Sequence, residues 1–386
     1  MSLPTVPRLA RAHATGNVKE AVVELVVALR RDLGSHHPVA VIYFASSRYH
    51  PEDLAGPLSS CFPGTAVLGC STAGEFTDSV NATGGISAVA LPTGVLRHAV
   101  AALGDLERDV EAGTIAAVRE IETRWGAQLR ELDPSRHVGF LLADGMHGSE
   151  ELINETLGNA APLLDIVGGS AGDDLAFDGT WVAVGDQISH HGAALLVCET
   201  AVDYQIVKTC SFTPSGRRLR ITAADVQSRT VHSFDGRPAD EAYADAVGVS
   251  VSALDATVWM KHPVGLMIGG QPWIRSPRAI VPGGAIAFYA QIRPGMEVEV
   301  MNPTDLIHDT VTALADIRAR LGGNVSGAVL FNCILRRLEL DAVGSDAFVT
   351  ALNGLPTAGF HTYGESWLGH VNQTLTGVVF GGADSR

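Results

Sequence analysis

A glycine turn that carries an acidic residue occurs twice in this chain and constrains the fold more than any other feature. The copies are Gly69-Cys-Ser-Thr72-Ala-Gly74-Glu75 and Gly359-Phe-His-Thr362-Tyr-Gly364-Glu365, both reading Gly-x-x-Thr-x-Gly-Glu. A looser third copy is Gly168-Gly-Ser170-Ala-Gly172-Asp173. Each follows a β-like run (40–45, 138–143 and 327–332) and precedes another apolar one. The offsets from run to glycine are similar: 25 from Phe44 to Gly69, 27 from Leu141 to Gly168, 29 from Leu330 to Gly359. Apolar runs this short, bounded by glycine, read as strands joined by tight turns. Three degenerate strand–helix–strand–turn–strand units account for the spacing. The fold class that follows is α/β (mixed α+β), with layered β-sheets flanked by helices.

The 386 residues suffice for two ordinary domains or one large composite. With 46% hydrophobic and 18% charged residues the chain can build a core, which excludes a disordered protein. A net charge of −15 argues against a nucleic-acid surface, and the densest basic patch, Arg217-Arg218-Leu-Arg220, is too short to reverse that. The five cysteines show no zinc-type spacing. Apolar runs stop at about eight residues, short of a membrane span, and the N-terminus has no signal core. The expected location is cytoplasmic, with no membrane contact.

Taken in order, residues 1–16 read as an irregular lead-in. Helices are expected over 17–33, 51–61, 109–130 and 149–160, with strands at 39–45, 66–70, 85–91, 96–103, 138–143, 165–168, 181–184 and 193–198. The polar stretch 201–216 marks a boundary, giving domains 1–205 and 206–386. Beyond it, strands are expected at 218–223, 230–234, 264–268, 273–280, 285–288 and 296–301, with helices at 239–247 and 305–321.

These residues resemble the FIST family. The resemblance rests on the Gly69–Glu75 turn, Val167-Gly-Gly-Ser-Ala-Gly-Asp-Asp174, Asp235-Gly-Arg-Pro-Ala239, and Gly359…Tyr363-Gly-Glu365…His370-Val-Asn-Gln-Thr374. It implies two packed FIST-type domains, N before C, acting as a cytosolic signal-transduction sensor of a small ligand. Some stand-alone bacterial members bind haem and sense nitric oxide, with output through a separate histidine kinase or cyclic-di-GMP enzyme. An amino acid or other small metabolite is the competing ligand. The chain carries no output region of its own, so its signal is expected to pass to a partner; a homodimer would suit such a protein.

Glycine turns surround a small concavity with N–H groups, and a carboxylate beside one can orient a ligand or fix its own turn. Glu75, Tyr363, Gly364, Glu365, His370, Asn372 and Thr374 are therefore the candidate ligand-binding residues. His370, Asn372 and Thr374 would share one face of the last strand, as a site lining or a solvated edge. Haem needs an axial ligand, for which His262, His361 and His370 are the candidates. Arg217, Arg218, Arg220 and Arg275 could meet a carboxylate or simply guard a strand edge. Gly168-Gly-Ser170-Ala-Gly172 matches a hydrolase elbow in spacing, but a loop and not a helix follows Ser170. A hydrolase using Ser170 or Cys70 and a pure protein adaptor are the alternatives in other classes. No catalytic residue is assigned. His190-His191 and Asp173-Asp174 suggest a metal only weakly, without a helical histidine pair, and no metal ligand is assigned.

Overall fold

The computed structural model describes residues 7–344 and 346–382. The described chain forms two compact units: residues 7–208, 310–369 and 375–382, and residues 209–309 with 370–374. A cut near residue 205 thus meets only the first of several crossings.

The first unit holds the three repeats, each a sheet with one recurring order. In the first, Ala10–Ala14 pairs with Ile86–Pro92, which pairs with Pro38–Ser46, which pairs in parallel with Ala66–Thr72. In the second the order is Leu96–Asp105, Gly192–Thr200, His137–Ala143, Asp165–Ser170. In the third it is Tyr204–Cys210, Thr374–Gly381, Val325–Cys333, Thr357–Thr362. A helix follows the first strand of each repeat: Val18–Leu33, Val110–Trp125 and Leu306–Arg320. In the third repeat about a hundred residues intervene there, and they form the second unit.

The register refines the repeat. Gly168 lies opposite Leu141 and Gly359 opposite Leu330, as the offsets imply, but Gly69 lies opposite Tyr43 and not Phe44. Aligned this way, Asp174 and not Asp173 takes the place of Glu75 and Glu365.

The segment after each glycine turn leaves its own sheet and pairs with another repeat's. Glu75–Thr77 pairs with Thr357–Thr362, putting Phe76 opposite Gly359. Val182–Val184 pairs with Ala66–Thr72, putting Ala183 opposite Gly69. Glu365–Trp367 pairs with Asp165–Ser170, putting Ser366 opposite Gly168. The exchange closes a ring of three, and the three glycines sit where it happens. A Cβ on Gly168 would stand 1.8 Å from the Leu141 carbonyl oxygen, and one on Gly359 2.1 Å from that of Leu330. On Gly69 it would lie 2.1 Å from the Tyr43 ring. Only glycine permits such close approach.

Both faces of the central strands are buried, which is why they read as continuous apolar runs. Ala40, Ile42 and Phe44 point into a core shared with Phe140, Leu142, Phe331 and Phe360. Val41, Tyr43 and Ala45 point the other way, under the helix Val18–Leu33. That helix presents Ala21, Val22, Leu25, Val26 and Leu29, and is capped by Asn17, whose side chain accepts from Glu20 N. Phe44 stacks on Phe360 at 4.9 Å and meets Phe331 edge-on at 6.2 Å, joining the first and third sheets.

The second unit is an antiparallel sheet ordered Gln271–Arg275, Val264–Ile268, Glu297–Pro303, Phe212–Asp225, Thr230–Phe234, Ala285–Phe288, Pro277–Val281. Its core gathers Leu219, Ile221, Val231, Phe234, Ile286 and Val298 against Tyr243 of the helix Ala239–Val247.

Several expectations need correction. The lead-in contains the strand Ala10–Ala14, whose alternating Ala-Arg-Ala-His-Ala buries small residues that carry little β signal. The polar boundary 201–216 is mostly strand, Tyr204–Cys210 then Phe212–Asp225. The run 273–280 is two strands, broken at Ser276. His370 to Thr374 does not open the last strand: Gln373 has φ +50°, which ends the alternation, and the strand starts at Thr374.

Gly168→Ala is expected to cost at least about 3 kcal/mol, because the new methyl meets the Leu141 backbone, which cannot swing aside as a side chain could. Gly158→Ala, on an open helical surface, should gain about 0.5–1 kcal/mol. Urea unfolding of the two variants reads the contrast.

Candidate functional site

The ends of the parallel strands are tied to one another by backbone bonds. Ala73 N donates to His361 O and His361 N to Gly74 O, Ser170 N to Gly364 O and Tyr363 N to Ser170 O, Gly172 N to Ser71 O and Asp174 N to Thr72 O. The carboxylates at these turns face inward. Glu75 is fully buried, accepting from Gly85 N and, at 3.3 Å, from Thr72 Oγ1. Glu365 is fully buried and accepts from Thr362 Oγ1. Both glutamates thus hold their own turns.

His361 is equally committed. Arg336 Nε donates to Asn332 Oδ1 at 2.9 Å, which leaves Asn332 Nδ2 as the donor to His361 Nδ1 at 2.9 Å. The ring proton must then sit on Nε2, facing Asn81 Oδ1 at 2.7 Å. Burial, with Arg337 and Arg336 nearby, holds the His361 pKa well below the usual histidine range, so the ring is neutral.

His370, Asn372 and Thr374 belong to the second unit and are buried, so this segment is no solvated edge. Between them Gln373 accepts from Ser276 Oγ at 2.6 Å and donates to Met260 O at 2.8 Å. His262, in the same unit, bonds Met301 O through Nδ1 at 3.1 Å. Arg217 donates to Asp245 O and Ala246 O at the end of a helix, and Arg218 lies 3.5 Å from Glu299. Arg275 donates to Gln291 O and Ile274 O.

Tyr363 does something the turn pattern does not reveal. Its hydroxyl donates to Asp173 Oδ1 and accepts from Leu175 N at 2.9 Å, and its ring stacks on Phe177 at 5.5 Å. It thereby clasps a loop in which Asp174, Leu175 and Phe177 all have positive φ. Such backbone costs about 1–3 kcal/mol per strained residue and concentrates at functional sites. Phe177 is 56% exposed. Asp173 Oδ2 accepts from Asp178 N and Gly179 N. Burial pushes the Asp173 carboxyl up, but the Tyr363 hydroxyl and these N–H groups outweigh it and hold it below the usual carboxylate range.

A cluster of polar side chains in the second repeat reaches a cleft. Asp144, directly after His137–Ala143, is fully buried. It accepts from Thr180 Oγ1, from Met146 N at 3.2 Å, and from His147 N at 3.1 Å and Nδ1 at 2.5 Å. The His147 ring stacks on His191 at 4.1 Å, and His191 Nε2 meets Ser149 Oγ at 3.1 Å. His147, His190 and His191 line a cleft of about 800 Å³ with Asp105, Glu107 and Gln187. Burial and the neighbouring His147 lower the His191 pKa, although Asp144, Asp105 and Glu107 pull it up. Asp144 and His147 lie outside the sequence motifs, over forty residues from His191. The usable signal was an Asp-Gly-Met-His segment at the carboxyl end of a parallel strand, where ligands of α/β sheets bind.

Neither nucleophile candidate has the geometry of its motif. Ser170 ends a strand, is buried, and donates to Glu150 Oε1 at 3.4 Å, with a loop after it. Cys70 is wholly buried, which raises its thiol pKa well above the ordinary value.

Tyr363→Phe removes both clasp bonds and should cost about 1–3 kcal/mol, with faster hydrogen exchange at the Leu175 amide. Asp173 titrates below its unfolded value near about 3.9, so its contribution is complete above that pH and is lost as pH falls through the folded value. Losing the hydroxyl raises the folded pKa, so acid unfolding of Tyr363→Phe should begin at higher pH.

Two family models match the chain in succession. A family model of the FIST N domain matches residues 39–237, and one of the FIST C domain matches 239–367. No curated protein matches the chain. The N match spans two repeats and enters the second unit, and the C match returns to the third repeat, so the family's domains are not the two compact units. FIST domains are sensory modules of signal-transduction proteins that bind small ligands, and this chain belongs to the FIST family.

Proposed function

We propose that this protein is the sensory component of a signalling system, taking a small ligand in the cleft beside His147, His190 and His191 and reporting to a separate protein. The observation that carries the reading is the convergence of these side chains, with buried Asp144 behind them, on one cleft at the carboxyl end of a parallel strand. The glutamates of the glycine turns are the weaker place to look, because both are fully buried and already bonded within the fold. An amino acid or another small polar metabolite fits this cleft.

Haem with nitric oxide as signal, and a histidine kinase or cyclic-di-GMP enzyme as receiver, is the more specific form. His361 does not fit it, since both ring nitrogens are hydrogen-bonded within the core. His262 fits better: an Nδ1 bond to a carbonyl is how an iron-ligating histidine is oriented, with Nε2 toward the metal. If haem is bound, His262 would hold its iron, and the iron would supply the gas-binding position.

Two measurements separate the forms. An absorbance spectrum after haem reconstitution should show a Soret band that shifts with nitric oxide and disappears in His262→Ala; no band in the parent protein rejects haem. A thermal-shift screen of amino acids and small metabolites should find a ligand giving about 2.7 kcal/mol of stabilisation at a hundred times its Kd. A hit unaffected by His190→Ala and Gln187→Ala would move the site out of this cleft.

A further inference from the structure

We propose that Asp144, His147 and His191 form a binding site for a divalent transition metal of the zinc type. One potential ligand atom of each residue lies within 4.8 Å of those of the other two, so modest side-chain rotations bring all three to one ion, whose ligands at about 2.0–2.2 Å each stand at most about 4.4 Å apart. The set is one carboxylate and two imidazoles. Such a set suits zinc, cobalt or ferrous iron and disfavours calcium and magnesium, which prefer oxygen ligands.

Three further features mark the group as prepared. The Asp144 carboxylate is fully buried and oriented by Thr180 Oγ1 and the Met146 N–H, the outer contacts that usually fix a metal-bound carboxylate. His191 is oriented by Ser149 Oγ at 3.1 Å. His147, half exposed, lines the cleft of about 800 Å³ together with His191. An ordinary Asp–His pair accounts for the 2.5 Å contact between His147 and Asp144. A second histidine stacks at 4.1 Å beside that pair, and a turn of its ring would aim a nitrogen at the same ion.

On binding, the metal takes the place of the proton between His147 Nδ1 and Asp144 Oδ2; a neutral ring keeps its proton by shifting it to Nε2, and an imidazolium gives one up to solvent. Three protein ligands leave a tetrahedral ion one position open, toward the cleft. Water or a small molecule with an oxygen, nitrogen or sulfur donor would complete it. The site shares its cleft with the sensory reading but rests on the ligand geometry alone.

The test uses the untagged full chain, stripped with chelator and titrated with Co²⁺ alone. The expected result is one equivalent bound, with the visible bands of a low-symmetry cobalt site, and displacement by Zn²⁺. His147→Ala and His191→Gln should each weaken binding at least about tenfold, whereas His98→Ala should leave it unchanged. His147 is half exposed, so its variant is expected to fold; circular dichroism checks this. Failure of the stripped protein to bind Co²⁺ overturns the proposal, as does binding unchanged in a folded His147→Ala. Either failure leaves the thermal-shift screen as a separate test of ligand sensing.

Discussion

The first unit depends on three glycines, Gly69, Gly168 and Gly359, each placed between two strands where a methyl group would collide with the parallel partner. On one side lies the parallel partner of the same repeat, and on the other a segment arriving from a different repeat. Each repeat therefore completes another's sheet, and no repeat is complete alone. Its pairings link residues far apart in sequence, from Phe76 with Gly359 to Ser366 with Gly168. Loop-closure entropy must be met before these contacts form, which favours slow, cooperative assembly of the whole unit over repeat-by-repeat folding.

The glutamates follow from the same constraint. A chain that leaves its sheet at a sharp turn exposes backbone N–H groups in a place where water is excluded, and each must find an acceptor. Glu75 supplies one for Gly85 N, ten residues on, and takes a bond from Thr72 Oγ1; Glu365 takes the corresponding bond from Thr362 Oγ1. The Gly-x-x-Thr-x-Gly-Glu pattern is thus largely the signature of one turn, with Thr and Glu bonded across three positions.

This explains what was legible in the sequence. The three repeats and most strands could be read because both faces of the strands are buried and glycines punctuate them. The strand Ala10–Ala14 was hidden because its buried face carries only alanine. The second unit's insertion between the first strand and the first helix of the third repeat was hidden because a linear reading cannot tell a boundary from an excursion. Of the candidate site, Tyr363 was legible as a residue of the turn, but its clasp on Asp173 and Leu175 was not. Asp144 and His147 lay outside every motif; only the fold brings His191 to them.

Agreement and disagreement among the repeats then separate fold from chemistry. Register makes Ser46, Asp144 and Cys333 equivalent, each three residues past the one opposite the first glycine of its turn, and only the second repeat places a carboxylate there. The turn threonines Thr72 and Thr362 correspond to Ala171, and the glutamates Glu75 and Glu365 to Asp174, which has a positive φ and accepts from Ser46 Oγ at 2.7 Å. The second repeat has therefore given up the internal Thr–Glu bond and stabilises its turn through Asp173 and Tyr363 instead. A repeat that only had to fold had a working solution in its two siblings. Departing from it costs strain at Leu175 and Phe177, and local rules are broken in this way chiefly where a site requires it. The same repeat carries the buried aspartate, the paired histidines and the cleft, so the departure and the polar cluster are most simply two parts of one site.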